Sequence, residues 1–364
     1  MVMTAQAADP GSAPAQTIGL ESLAIYIALA TGAVGAIVGI VVGFIPNLPL
    51  FGDLSFGSIA ALAAGVVAAA ASGVAYWRVR AMPGQEWRLA LSPFVFSVNA
   101  VGVVLVHSVL AVLSVLAAFL VLGRGFIGLT VVPFWSITLM AVVLGLTAYV
   151  VYLSASRLTT LRMSSLLMGF VTIGTLTAMV TTPDPDWWKI HFSHLGTFWS
   201  LSSLTFNGTL VAGGLLVTAF AVYVANDMRP LVPAGRLERA NSPKTVATLF
   251  VVMGIMLAGV GLVPVNVSLL IHNLSASGMA VMYLVLLIGG PWILRGMPRA
   301  YFLASWVFLG SLLASLVLFI TGFFGLTAFE IIVFALIFGW ISVFIRFLGV
   351  AGQNASATAS SVVS

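Results

Sequence analysis

The 364-residue chain is 61% hydrophobic and only 6% charged, and it contains no cysteine. Soluble domains carry about 25% charged residues, so this composition excludes an ordinary soluble protein and points to lipid as the main partner. The formal net charge of +5 comes from Lys and Arg scattered between apolar runs; they make no basic stripe, so no nucleic acid is expected, and without Cys neither disulfides nor thiolate sites are available.

Residues 1–20, rich in Ala, Pro, Gly and Ser, read as a disordered polar tail. No Lys or Arg precedes Arg78, so neither a secretory leader nor a mitochondrial presequence is expected. Apolar stretches long enough to cross about 30 Å of hydrocarbon then recur. They predict ten helices near 22–44, 56–77, 95–121, 134–155, 164–182, 200–225, 245–265, 269–292, 300–321 and 325–347. The fold class is therefore all-α, a polytopic integral membrane helix bundle. Its expected organisation is a four-helix region over 21–160 and a six-helix region over 161–348, with a disordered tail over 349–364.

The charges orient the bundle. With the N-terminus inside, Arg78, Arg80, Arg88, Arg157, Arg162, Arg229, Arg236, Arg239, Lys244, Arg295, Arg299 and Arg346 fall on the cytoplasmic side, and Arg124 and Lys189 fall outside. Short cytoplasmic loops carry the excess of Lys and Arg. Both termini are thus expected in the cytoplasm, in a bacterial cell membrane.

Within helix one, Gly35, Gly39 and Gly43 form two overlapping GxxxG steps that let another helix approach closely. That helix belongs to the same chain or, alternatively, to a second copy in a homo-oligomer. Trp77, Trp87, Trp135, Trp187, Trp188 and Trp292 fall near helix ends, where an amphipathic ring favours the headgroup layer. Trp306 and Trp340 lie within spans and read as packing or lipid-contact residues.

Ionisable groups in spans are costly and usually face protein or water. Here they are His107, His272 beside Asn273, and Glu330, the last near enough to its helix start to snorkel to water. The segment before helix six, PDPDWWKIHFSHLGTFWS, adds Asp184, Asp186, His191, Ser193 and His194. Apart from His107, these groups lie toward the outer face. If helices six, eight and ten share an interior, His194, Asn207, His272, Asn273, Glu330 and Ser193 would surround one outward-facing polar cavity.

Two kinds of chemistry are open to these residues. His191 and His194, three apart, would share a face of one helical turn and, with His272 and Asp184, form a nitrogen and oxygen metal site. A water bound there would attack a lipid ester or amide. Nucleophilic catalysis has less support, because Ser193 lies in no GxSxG elbow. No nucleotide motif occurs in a strand context, and no cofactor is expected.

The segments "SHLG", with Ser193, Leu195 and Gly196, "FN", with Phe206 and Asn207, "GTLVAGG" over Gly208 to Gly214, and "VPVNVSLLIHN", with Pro264, His272 and Asn273, together resemble the uncharacterised bacterial membrane family called domain of unknown function 998. The resemblance covers about residues 160–345. Where many members carry an Asp after the loop Ser, this chain has His194. The family has no established activity, so the resemblance implies a class of site and no reaction; it makes His194, Asn207 and His272 the leading residues.

The expected function is binding or transport of a polar small molecule or lipid headgroup at the outer cavity. A metal-dependent intramembrane lipid hydrolase and a structural or assembly subunit of a membrane complex stand as alternatives.

Overall fold

The structure, a computed structural model, describes residues 12–197 and 199–363, with side chains over 18–197 and 199–351. It contains ten long helices: α1 (Ser12–Gly43), α2 (Phe56–Val79), α3 (Pro93–Gly125), α4 (Pro133–Ser156), α5 (Thr160–Thr181), α6 (Leu201–Met228), α7 (Ser242–Leu262), α8 (Leu269–Ile293), α9 (Arg299–Ile320) and α10 (Leu326–Val363). Each is long and apolar enough to cross a membrane. Among the described residues there is no strand, and this is a polytopic all-helical membrane fold. Outward faces such as Leu62 and Val66 of α2 or Val142, Leu146 and Val150 of α4 leave large apolar side chains exposed, a surface suited to lipid and not to water.

Helix starts follow local chemistry. Ser55 caps α2 in a reciprocal box with Ser58, and Thr159, Ser200 and Ser268 cap α5, α6 and α8 by accepting from backbone N–H groups. Proline opens α4 and α7, where its missing N–H has no intrahelical role to lose. Helix continues into both segments expected as tails, since α1 begins at Ser12 and α10 extends to Val363. The stretch after Gly349 lacks proline and is rich in alanine, the strongest helix former. The expectation of disorder for residues 1–11 lies outside the described residues.

The chain divides into two compact units, Met1–Leu91 with Val103–Arg157, and Ser92–Gly102 with Leu158–Ser364. In the first, α4 packs on α1 and α2. Gly35, Gly39 and Gly43 all face α4: a Cβ on Gly39 would lie 2.6 Å from Ile137 Cα, and one on Gly35 would lie 2.7 Å from the Met140 carbonyl. Ser136 uses this approach to donate to the Gly39 carbonyl at 2.7 Å. The glycine face is therefore filled within the chain by α4. His107 is buried in this unit, held by the Val103 carbonyl at 2.8 Å and Ser154 at 3.0 Å.

In the second unit α5, α6, α7 and α8 pack in sequence, α9 joins α8 to α10, and α10 returns against α5 and α6. The first turns of α3 belong here, with Gly102 against the Leu215 backbone. Helix α6 is the hub, 72% of its apolar window being buried, and Gly214 and Gly254 bring it into backbone contact with α7. Trp340 is fully buried and donates to Ser305 at 3.1 Å, whereas Trp306 is exposed.

Replacing Gly39 by valine is expected to cost about 1–3 kcal/mol by overpacking, read as a lowered thermal midpoint of the purified protein. Gly19→Ala on the same helix meets open space and should leave that midpoint unchanged or raise it.

Candidate functional site

The connection between α5 and α6 dips back into the second unit. Pro183 and Pro185 deny it a continuing helix, and Asp184 Oδ1 closes a turn by accepting from the Asp186 N–H at 2.8 Å. Two short 3₁₀ turns follow, Trp187–Lys189 and Phe192–Gly196. Phe192, Leu195 and Gly196 of the second turn are buried. Phe192 anchors it, edge-on to Phe206 of α6 at 5.1 Å and to Phe334 of α10 at 5.9 Å.

A buried turn needs partners for its backbone, because unpaired amide groups are costly away from water. Helix α6 supplies three. Ser202 donates to the Leu195 carbonyl at 3.2 Å and to Ala178 of α5 at 2.8 Å. Ser203 and Asn207 Nδ2 each donate to the Gly196 carbonyl at 2.9 Å. A Cβ at 196 would stand 2.4 Å from Asn207 Oδ1, so any larger residue there would displace the Asn207 side chain. From α10, Glu330 Oε2 accepts the Phe192 N–H at 2.6 Å. Glu330 therefore reaches into the unit instead of snorkelling to water.

Helix α8 adds the remaining contact. Buried His272 places Nδ1 2.9 Å from the Val263 carbonyl at the end of α7 and Nε2 3.0 Å from Ser193 Oγ. A carbonyl only accepts, so Nδ1 carries the proton, and in the neutral ring Nε2 accepts from the Ser193 hydroxyl. Val263 is the C-cap of α7, where helix carbonyls lack an intrahelical donor; His272 supplies one.

Asp184, Asn207, His272 and Glu330 thus converge on different parts of His191–Gly196, without all facing one another. Ser193, Asn273 and Glu330 line a cavity of about 370 Å³. Asn207 and His272 stand behind it as supports, and His194 turns aside to Asp184, with Nε2 3.0 Å from Oδ2. The cavity's other walls are mostly apolar, including Phe206, Leu210, Leu257, Met279, Phe329 and Phe334. Asn273 and Ser277 are both lining and exposed, so the cavity reaches the surface beside α8.

The metal alternative is not supported by this arrangement. Among the described residues no three His, Asp or Glu side chains are placed to hold a metal ion. The His191 and His194 rings sit edge to face at 5.7 Å, His194 is paired with Asp184, and both nitrogens of His272 are engaged, so the four expected ligands share no centre. The pairing missed by sequence reasoning is Ser193 with His272, 79 positions apart; looking only for a local elbow motif passed over it.

No protein-family model, curated protein or solved structure matches the chain. The fold itself defines the class, a multi-pass helical membrane protein, with an amphipathic cavity at one end of its second unit.

Burial, and then the neighbouring His194 and His272, hold the His191 imidazole below its ordinary pKa. The unfolded chain then takes up this proton near pH 6.5 and the folded chain only at lower pH, so stability is complete above about pH 6.5 and falls as pH drops below it. Thermal midpoints measured across this range should decline less steeply in His191→Gln than in the parent. Asn207→Ala, which removes one of the two donors to the buried Gly196 carbonyl, should cost about 0.5–1.5 kcal/mol in the same measurement at neutral pH.

Proposed function

We propose that the second unit binds an amphiphile, a lipid or lipid-like molecule, with its apolar part among the aromatic and aliphatic walls and its polar head at Ser193, Asn273 and Glu330. The observation that carries this reading is the mixed composition of the lining, apolar in the main with a few polar groups. Apolar residues, among them Phe192, Phe206, Leu257, Met279, Phe329 and Phe334, form most of the wall, while Ser193, Asn273, Ser277 and Glu330 supply the polar groups. Ligand sites commonly combine such apolar walls with a few placed polar groups, in volumes of about 300–1,000 Å³. A freely polar solute would leave those walls unsatisfied; a saturated hydrocarbon would leave Glu330 and Asn273 without a use.

Glu330 has a specific part in this reading. One oxygen accepts from Phe192, and a carboxyl group has further acceptor capacity, so it can take a hydroxyl or amine hydrogen from the ligand head. The chain lies in the bacterial cytoplasmic membrane with both termini in the cytoplasm, a placement supported by the distribution of Lys and Arg. The cavity end then meets the outer leaflet, from which an amphiphile enters without crossing water. The motif residues likened to domain of unknown function 998, Ser193, Gly196, Asn207 and His272, support the loop that forms the cavity's polar end, which favours counting the chain among that family.

A photo-reactive fatty-acyl amphiphile added to the purified protein in nanodiscs should crosslink saturably to peptides containing cavity residues. Ala280→Trp, which fills the lining, should reduce crosslinking about tenfold or more, a loss of roughly 1.4 kcal/mol in binding, with the thermal midpoint retained. Crosslinks spread along lipid-facing surfaces, or unaffected by Ala280→Trp in a folded protein, would refute the site.

A further inference from the structure

Resting on that amphiphile-binding reading, we propose that Ser193 and His272 form a nucleophile and general-base pair that cleaves an ester bond in the bound amphiphile.

The geometry has the three parts that activate a serine. The nucleophile, Ser193 Oγ, lies 3.0 Å from His272 Nε2, and Ser193 is one of the residues that line the cavity. The base is buried on α8, so its ring is held by packing. The orienting group is the Val263 carbonyl, 2.9 Å from Nδ1, which fixes the tautomer that leaves the Nε2 lone pair toward the hydroxyl. Phe192, beside the nucleophile, is pinned by its ring contacts and by its N–H bond to Glu330, which fixes the turn carrying Ser193. A hydrogen bond serving only to join the loop to α8 has no need of a hydroxyl in the cavity wall. Here Ser193 belongs both to the pair with the base and to the lining of the space in which an acyl chain would lie.

The chemistry closes without any group absent from the chain except water. Ser193 Oγ bonds to the ester carbonyl carbon while its proton passes to His272 Nε2 and the carbonyl electron pair moves onto oxygen. As that pair returns, the bond to the alkoxy oxygen breaks, and the proton on Nε2 goes to the departing oxygen, releasing an alcohol and leaving acyl-Ser193. Water then attacks the acyl carbon and gives its proton to Nε2. Collapse returns that proton to Ser193 Oγ and frees the carboxylic acid. The net change is ester plus water to acid plus alcohol. Val263 is a positioning group throughout, since it touches only the far nitrogen of the base.

The test uses an alkyl fluorophosphonate on the purified full chain in nanodiscs, with the adduct located by peptide mass mapping. The non-reactive acyl amphiphile is bound to the same preparations in parallel. One adduct is expected on Ser193, absent in Ser193→Ala and formed about 100-fold more slowly in His272→Gln, with amphiphile binding retained in His272→Gln. Absence of a Ser193 adduct in the parent protein, with amphiphile binding intact, would overturn the catalytic pair and leave the binding site standing. An unchanged labelling rate in folded His272→Gln would overturn the base. Loss of both labelling and amphiphile binding in the parent would remove the underlying reading as well. The parent reaction needs no variant, so it decides the question even if His272→Gln does not fold.

Discussion

A short piece of irregular backbone buried in an apolar bundle must find every hydrogen-bond partner inside the protein, and the turn Phe192–Gly196 meets this constraint with side chains from three helices. Helix α6 takes the Leu195 and Gly196 carbonyls through Ser202, Ser203 and Asn207. Helix α10 takes the Phe192 N–H through Glu330, and α8 holds Ser193 through His272. Non-helical backbone is tolerated at membrane depth only where protein or a cavity surrounds it. The polar residues at this end therefore have a structural duty that precedes any ligand, and the cavity is what remains between walls the turn has already positioned.

Glycine solves the complementary problem of bringing helices together where hydrocarbon gives them no reason to associate. Lipid tails are as apolar as leucine, so close van der Waals contact and interhelical hydrogen bonds must hold a bundle. In the first unit Gly35, Gly39 and Gly43 admit α4 to backbone distance, and Ser136 adds a donor to the Gly39 carbonyl. In the second, Gly214, Gly254 and Gly261 do the same between α6 and α7, with Gly261 against the Asn207 carbonyl. That close approach places Asn207 and the end of α7 in one neighbourhood, so the packing of two glycine-bearing helices sets where His272 finds the Val263 carbonyl.

Helices were legible because hydrocarbon imposes a simple rule: about twenty apolar residues and few charges. Ten spans could be read from that alone. Their ends were less so: α3 runs to Gly125 and α10 to Val363, since helix propensity continues where hydropathy stops. The polar residues of the site were legible by type, because ionisable groups in spans stand out against an apolar background. Their partners were not. Glu330 bonds a backbone N–H 138 positions away and His272 a hydroxyl 79 positions away, and neither separation leaves a trace in local spacing. The HxxH pair misled for the same reason, since three residues apart implies a shared face only on a regular helix, and here the backbone begins a 3₁₀ turn at Phe192 with His191 extended before it.

The location of the cavity follows from the cost of polarity in lipid. A polar group is least expensive near a helix end, where loops and caps supply partners, and most expensive at mid-bilayer. An amphiphile site needs both media within one molecular length: donors and acceptors for the head, hydrocarbon for the tail. The turn Phe192–Gly196 brings Ser193 into one lining with Asn273 and Glu330, alongside the apolar walls of Phe206, Leu210 and Leu257. On the reading proposed for the second unit, a lipid's ester linkage, which lies between headgroup and acyl chain, would come beside Ser193, where a hydroxyl hydrogen-bonded to a buried imidazole is chemically suited to attack it.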